Sequence, residues 1–131
     1  MGQNEKTRAL LAAFGCALAY LLAGKALTAV LPQVPEEAAR MWAFVYRCAA
    51  APIVEELVFR GIIQQLARPL GERQAVALQA VLFAVQHRGP AGMAYALVCG
   101  LVLGTIRSRT GSVWPGMLLH TLNNLLVFAA G

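Results

Sequence analysis

The chain is poor in charge. Only 13% of its 131 residues are Asp, Glu, Lys or Arg, against about 25% in an ordinary soluble domain. It is 59% hydrophobic. That profile excludes an ordinary soluble surface and fits a polytopic membrane protein, in which each charge inside an apolar segment needs its own explanation. There is no dense Lys/Arg stripe, so the net charge of +5 does not make a nucleic-acid surface. Positive charges scattered between apolar runs act instead as topology signals. There is no Cys-x-x-Cys motif. The three cysteines, Cys16, Cys48 and Cys99, lie in apolar stretches, where they read as small buried hydrophobes. No small-x-small site closes the first apolar segment, which therefore reads as an uncleaved anchor rather than a signal peptide. Internal repeats and disordered linkers are absent as well.

What is present is a series of apolar segments, at roughly 9–31, 41–66, 74–87, 91–106 and 113–130. Each predicts a helix, because backbone in lipid must satisfy its own hydrogen bonds. The expected fold is all-α, a polytopic transmembrane bundle of about five helices. It would comprise an N-terminal tail over 1–8, a membrane helix over 9–31 and a helical core over 40–131. The first two segments are long enough for a full crossing of about 20 residues, whereas the third and fourth are short. Gly, Pro and charge mark the connections PQVPEEAAR, RPLGER, RGP and RSRTGS as turns. If all segments cross, Lys6, Arg8, Arg68, Arg73, Arg107 and Arg109 share one side. Arg40 and Arg88, with Glu36 and Glu37, occupy the other. The positive-inside rule then puts the N-terminus in the cytoplasm.

Six polar residues interrupt the apolar segments: Glu55, Glu56, Arg60, His87, His120 and Asn124. They include both histidines of the chain and two of its six acidic residues. Glu56 and Arg60 stand four apart, so they share a helix face and can pair. Phe83 with His87, and His120 with Asn124, repeat the spacing. Glu55 lies about 100° round the helix from Glu56. One carboxylate can therefore face a reaction centre while Arg60 holds the other. At about 1.5 Å of rise per residue, Glu55, Glu56, His87, His120 and Asn124 fall about 12 to 20 Å from the expected cytoplasmic helix ends. Three segments thus bring polar groups to similar depth.

Such a cluster has readable chemistry. A carboxylate beside an imidazole can hold and deprotonate a water. A histidine and an asparagine can donate hydrogen bonds to the oxyanion of a tetrahedral intermediate. Each part also has a plainer reading. Glu56 with Arg60 could be a structural ion pair, and His120 with Asn124 could be interhelical glue. Glu55, His87 and His120 could form a His₂Glu set for zinc, although the H-E-x-x-H spacing is absent. Buried carboxylates and histidines could also relay protons in a small transporter subunit, although no paired repeat is visible. The G-x-x-x-G at 100–104 is a close-packing signal, within the bundle or at a dimer seam.

Three stretches carry a resemblance. EELVFR at 55–60, FAVQH at 83–87 and HTLNN at 120–124 stand in order, with FRGIIQQL and GLVLGTIRSRTGSVWPGMLLH between them. Over about residues 45–128 the chain resembles the CAAX protease and bacteriocin-processing family, also called Abi or CPBP, a family of intramembrane proteases. The resemblance implies a catalytic set of Glu55 as water-activating base, His87 assisting it, and His120 and Asn124 at the oxyanion. Glu56, Arg60 and Phe83 would be supporting residues. It favours a glutamate-dependent mechanism without a metal or other cofactor, zinc being the minority alternative. The implied partners are the lipid bilayer and a membrane-embedded or lipid-anchored protein or peptide, prenylated in the best-known relatives. The size suits a bacterial inner membrane. Relatives usually carry more membrane segments, so a second copy or a partner subunit is a candidate for closing the cavity. The rival is a non-catalytic immunity or substrate-binding membrane protein.

Overall fold

The computed structural model describes residues 2–30 and 34–130. Residue 31, where the first segment was expected to end, lies outside them, as do residues 32 and 33 of the first connection and both terminal residues. The architecture is an all-α bundle of five helical rods. The first rod, α1, is Gln3–Val30. It starts earlier than expected, so residues 3–8 are its opening turns rather than a separate tail. The second rod, α2, runs over residues 36–67 and is followed by the tight turn Arg68–Leu70. The remaining rods are α3 (Glu72–Ala84), α4 (Gly89–Thr110) and α5 (Trp114–Ala129).

The rod α2 is not a plain α-helix. Its α-helical pieces, Glu36–Val45, Ala51–Glu55 and Gln64–Ala67, are separated by π-helical stretches at Tyr46–Ala50 and Glu56–Ile63. Pro52 explains the first. It has no N–H to give the carbonyl four residues back, and its ring crowds that turn. The chain widens there, and the Ala51 N–H bonds to the Tyr46 carbonyl five residues back. Wide turns of this kind recur at functional sites.

Turn chemistry sets the other boundaries. At Gly71 the backbone adopts φ 113° between the Arg68–Leu70 turn and α3. At Gly111 it adopts φ 70° and closes α4, its N–H bonding back to the Arg107 carbonyl. Thr110 and Ser112 then accept N–H groups of the short link into α5. The third segment ends earlier than expected, at Ala84, and His87 lies in the turn that follows. The Arg88-Gly89-Pro90 sequence ends the helical run, since Gly89 takes φ 71° and Pro90 opens the next helix.

Small residues bring the rods together. Ala9, Ala13 and Ala17 form the buried stripe of α1. Ala13 and Ala17 join Phe59, Ile63, Leu82, Phe83, Ala84 and Ala96 in the core. A Cβ on Gly100 would stand 2.9 Å from the Cα and Cβ of Ala80. The G-x-x-x-G therefore seats α4 against α3 within one chain. Gln79 Nε2 donates to the Gly100 carbonyl at 2.8 Å, and Gln64 Nε2 donates to the Gly104 carbonyl at 3.0 Å. Two glutamines thus fasten α4 to its neighbours through backbone that only glycine leaves open.

The outer faces are apolar. Leu11, Leu18 and Leu22 of α1, Val98 and Val102 of α4, and Leu118, Leu122 and Leu126 of α5 are all exposed. Apolar exposure on this scale marks a membrane or partner surface. Two helices, α1 and α4, are long and apolar enough to cross a membrane.

Candidate active site

The EELVFR stretch enters the second wide turn of α2, with Glu55 closing an α-helical piece and Glu56 opening the π-helical one. Glu56 is fully buried and Arg60 is 1% exposed. The guanidinium Nη1 lies 3.1 Å from Glu56 Oε1, an ion pair four residues apart. The contact is electrostatic, with no guanidinium N–H aligned on the oxygen. Arg60 also sits over the Phe83 ring, 4.4 Å from its centroid. A desolvated cation on an aromatic face gains about 2 kcal/mol, which offsets part of the cost of burying the charge.

His120 of α5 stands between the two carboxylates. Its Nδ1 is 3.0 Å from Glu56 Oε1, and its Nε2 is 3.6 Å from Glu55 Oε2. An ionised carboxylate only accepts hydrogen bonds, so Nδ1 carries the proton toward Glu56. The Glu55 contact is longer than a hydrogen bond. Gly116, one helical turn earlier on α5, makes the approach possible. A Cβ there would come within 2.6 Å of Glu56 Oε2.

His87 reaches the cluster differently. Its Nδ1 lies 3.0 Å from the Phe83 carbonyl. That carbonyl, in the last turn of α3, also accepts the Gln86 N–H at 3.3 Å. Nδ1 must donate to it, which leaves Nε2 with a free lone pair. The Phe83 ring lies 4.7 Å from the His87 ring and 5.7 Å from the His120 ring, edge-on to both. Phe83 therefore contacts His87, His120 and Arg60 at once. Glu55 lies within electrostatic reach of both histidines.

Asn124 is held away from this group. Its Nδ2 donates to the Arg47 carbonyl at 2.8 Å, within the wide turn that Pro52 imposes. Its Oδ1 accepts from Asn123, whose own oxygen accepts from the Tyr95 hydroxyl. Asn124 lines an open groove of about 580 Å³ with Arg47, Val127 and Phe128. His120 lines a separate groove of about 230 Å³ between α4 and α5.

The structure thus brings together Glu55, Glu56, Arg60, Phe83, His87 and His120, with Asn124 at one side on the Arg47 carbonyl. Among the described residues, no group of three or more His, Cys or acidic side chains is arranged to hold a metal ion. Sequence reasoning missed Gly116, Gln64, Gln79 and Tyr20. The Tyr20 ring of α1 packs edge-on against Phe59 at 5.5 Å, and Tyr20 lies within electrostatic reach of Glu55. The local signal for Tyr20 is a hydroxyl within an apolar run.

The family model for type II CAAX prenyl endopeptidase Rce1-like proteins matches residues 37–126. The chain belongs to this family. The matched stretch holds the two glutamates, both histidines, Arg60, Phe83 and Asn124, and it leaves α1 outside, with Tyr20. No curated protein and no solved structure matches the chain.

Proposed function

We propose that this Rce1-like CAAX protease family member is an intramembrane endopeptidase. It hydrolyses a peptide bond of a membrane-associated protein or peptide, prenylated or otherwise anchored near its C-terminus. The single observation that carries the reading is the buried His120 between Glu56 and Glu55, with Arg60 beside Glu56.

In this mechanism Glu55 takes a proton from water, with His87 Nε2 as the second acceptor. The hydroxide oxygen bonds to the peptide carbonyl carbon, and the carbonyl electrons move onto oxygen. His120 Nε2–H donates to that oxyanion, and Asn124, whose first N–H stays on the Arg47 carbonyl, joins with its second as a substrate spanning the two grooves comes within reach of both. Donation from Nε2 requires an imidazolium. With it, Glu55, Glu56, Arg60 and His120 sum to zero charge, the arrangement that a low-dielectric interior tolerates best. The C–N bond then breaks, and the proton held by Glu55 passes to the leaving amine. Glu56 orients His120, and Arg60 supplies the counter-charge beside Glu56. The site lies in the bilayer with the N-terminus cytoplasmic, the side on which Lys6, Arg8, Arg68, Arg73, Arg107 and Arg109 would gather.

The test is Glu55→Gln in the full chain, reconstituted in liposomes. The variant inserts and melts like the parent but yields no new C-termini in a membrane proteome that the parent cleaves. Parent-level cleavage by the variant overturns the reading.

A further inference from the structure

The C-terminal end of α2 holds polar groups that the proposed hydrolytic cluster does not use. A cavity of about 10 Å³ is lined by Arg60, Gln64, Gln65, Arg68, Glu72 and Arg107. That is room for about one water molecule and for nothing larger. The lining is polar and partly unsatisfied. Among the described residues, Arg60 Nε, Nη1 and Nη2, Gln64 Oε1 and Arg107 Nε are buried with no hydrogen-bond partner. A buried donor or acceptor left unmade costs about 1–3 kcal/mol, more when charged. A water with two to four polar partners removes that cost. Here it would accept from Arg60 and Arg107 and donate to Gln64 Oε1.

The two ends of this cavity differ. Outward stands the Arg68–Glu72 ion pair, 3.2 Å apart and about half exposed. Inward stands Arg60, fully enclosed and 3.1 Å from Glu56. Gln64 sits between them, its Nε2 already given to the Gly104 carbonyl and to Ser108 Oγ at 2.9 Å. Only its carbonyl oxygen remains to meet a guest. Charge points the same way. Three guanidiniums, those of Arg60, Arg68 and Arg107, line the cavity with one carboxylate, Glu72, an excess of positive charge that favours an oxygen lone pair.

We propose that this cavity is a hydration site, through which water passes from the 68–72 turn to the buried Glu56–Arg60 pair. The site stands on geometry alone. Its role as a source of hydrolytic water rests on the endopeptidase reading.

The experiment uses the full chain in detergent micelles with isotope-labelled arginine. The Arg60 Nε–H resonance is recognised by its loss in Arg60→Lys and by the ring-current shift from Phe83 beneath it. In the parent this proton shows a cross-peak to water and exchanges with deuterated solvent. In Gln64→Leu, or in Gln64→Met should the first variant not fold, the cross-peak is lost and exchange slows by about tenfold, as expected when a site of about 1.4 kcal/mol is removed. An Arg60 proton without a water cross-peak in the parent overturns the proposal. So does exchange in a folded Gln64 variant that matches the parent. Neither readout depends on proteolysis. A Glu55→Gln variant that still cleaves would overturn the endopeptidase reading and leave these measurements standing.

Discussion

His120 Nδ1 is bonded to the carboxylate of Glu56, the member of the glutamate pair that Arg60 also holds. The carboxylate is fully buried and joins α2 to α5. One anion therefore neutralises a buried cation and fixes the ring orientation of a histidine. This divides the labour between adjacent glutamates: Glu56 holds Arg60 and His120, and in the proposed reaction Glu55 is left to meet substrate.

That division predicts unequal variants. Glu56→Gln leaves Arg60 buried without a counter-charge, which costs about 3–5 kcal/mol when one partner of a buried pair is removed. Glu55 is about one-fifth exposed and has no direct ion pair with Arg60, so Glu55→Gln stays close to parent stability. Thermal unfolding of both variants in one detergent checks this. Equal melting temperatures would remove the structural role given to Glu56.

Gly116 makes a second prediction. Alanine in a helix interior normally gains about 1 kcal/mol over glycine. At 116, however, the new methyl would stand 2.6 Å from Glu56 Oε2. Overpacking of that kind costs about 1–3 kcal/mol, so the sign reverses. Gly116→Ala is expected to be destabilised and to cleave poorly because Glu56 is pushed off His120. Gly15→Ala, where nothing lies within 4 Å, is the control and should be neutral or stabilising. A Gly116→Ala variant as stable as Gly15→Ala contradicts the close approach.

The sequence made some of this readable. The i,i+4 spacing of Glu56 with Arg60 foretold one contact, because neighbours on one helical surface follow from the helix itself, whereas Phe83 meets His87 through the turn after α3. Contacts between rods were less readable. Asn124 and Arg47 are 77 positions apart, and nothing local says that a proline five residues beyond Arg47 widens its turn. His87 lies beyond the end of α3 because Gly89 and Pro90 halt the helix, a boundary that hydropathy alone runs past. Nothing local marks Gln64 and Gln79. Their role depends on Gly104 and Gly100 facing them, which becomes visible only when α4 is laid against α2 and α3.

At the rim, Glu72 accepts from Ser108 and Arg68. The Ser108 hydroxyl first, and the Arg68 guanidinium second, hold its carboxyl below the usual carboxylate range. A lowered folded pKa contributes stability that is full above the unfolded pKa and is lost as pH falls through the folded value. Glu72 is about half exposed, so solvent screening keeps the effect small. Melting of the parent is expected to drop slightly more steeply than that of Glu72→Gln below about pH 4, the region of unperturbed carboxylates. Superimposable acid limbs would deny Glu72 that role.

Tyr20 lies on α1, outside the family match, yet within electrostatic reach of Glu55. Tyr20→Phe keeps the ring packed on Phe59 and removes only the hydroxyl. The substitution removes one hydroxyl, worth at most a single hydrogen bond of about 0.5–1.5 kcal/mol, so folding should survive. Cleavage should fall through kcat with KM unchanged, because the hydroxyl acts on the base and not the substrate. Parent-level kcat in the variant would confine α1 to a packing role.

Pro52→Ala tests whether the wide turn at Tyr46–Ala50 matters to function. Alanine restores the N–H that the Cys48 carbonyl lacks in an α-helical pattern. Proline in a helix interior costs about 3 kcal/mol relative to alanine, so the local preference is for a tighter, more stable rod. Tightening would turn the Arg47 carbonyl away from Asn124 Nδ2, now 2.8 Å from it. The expected variant therefore melts at or above the parent temperature but cleaves less, and Asn124→Ala should reproduce the activity loss without the gain in stability. Losing activity while keeping or gaining stability separates a functional wide turn from a packing defect. If Pro52→Ala cleaves like the parent, the Arg47–Asn124 contact has no part in the reaction.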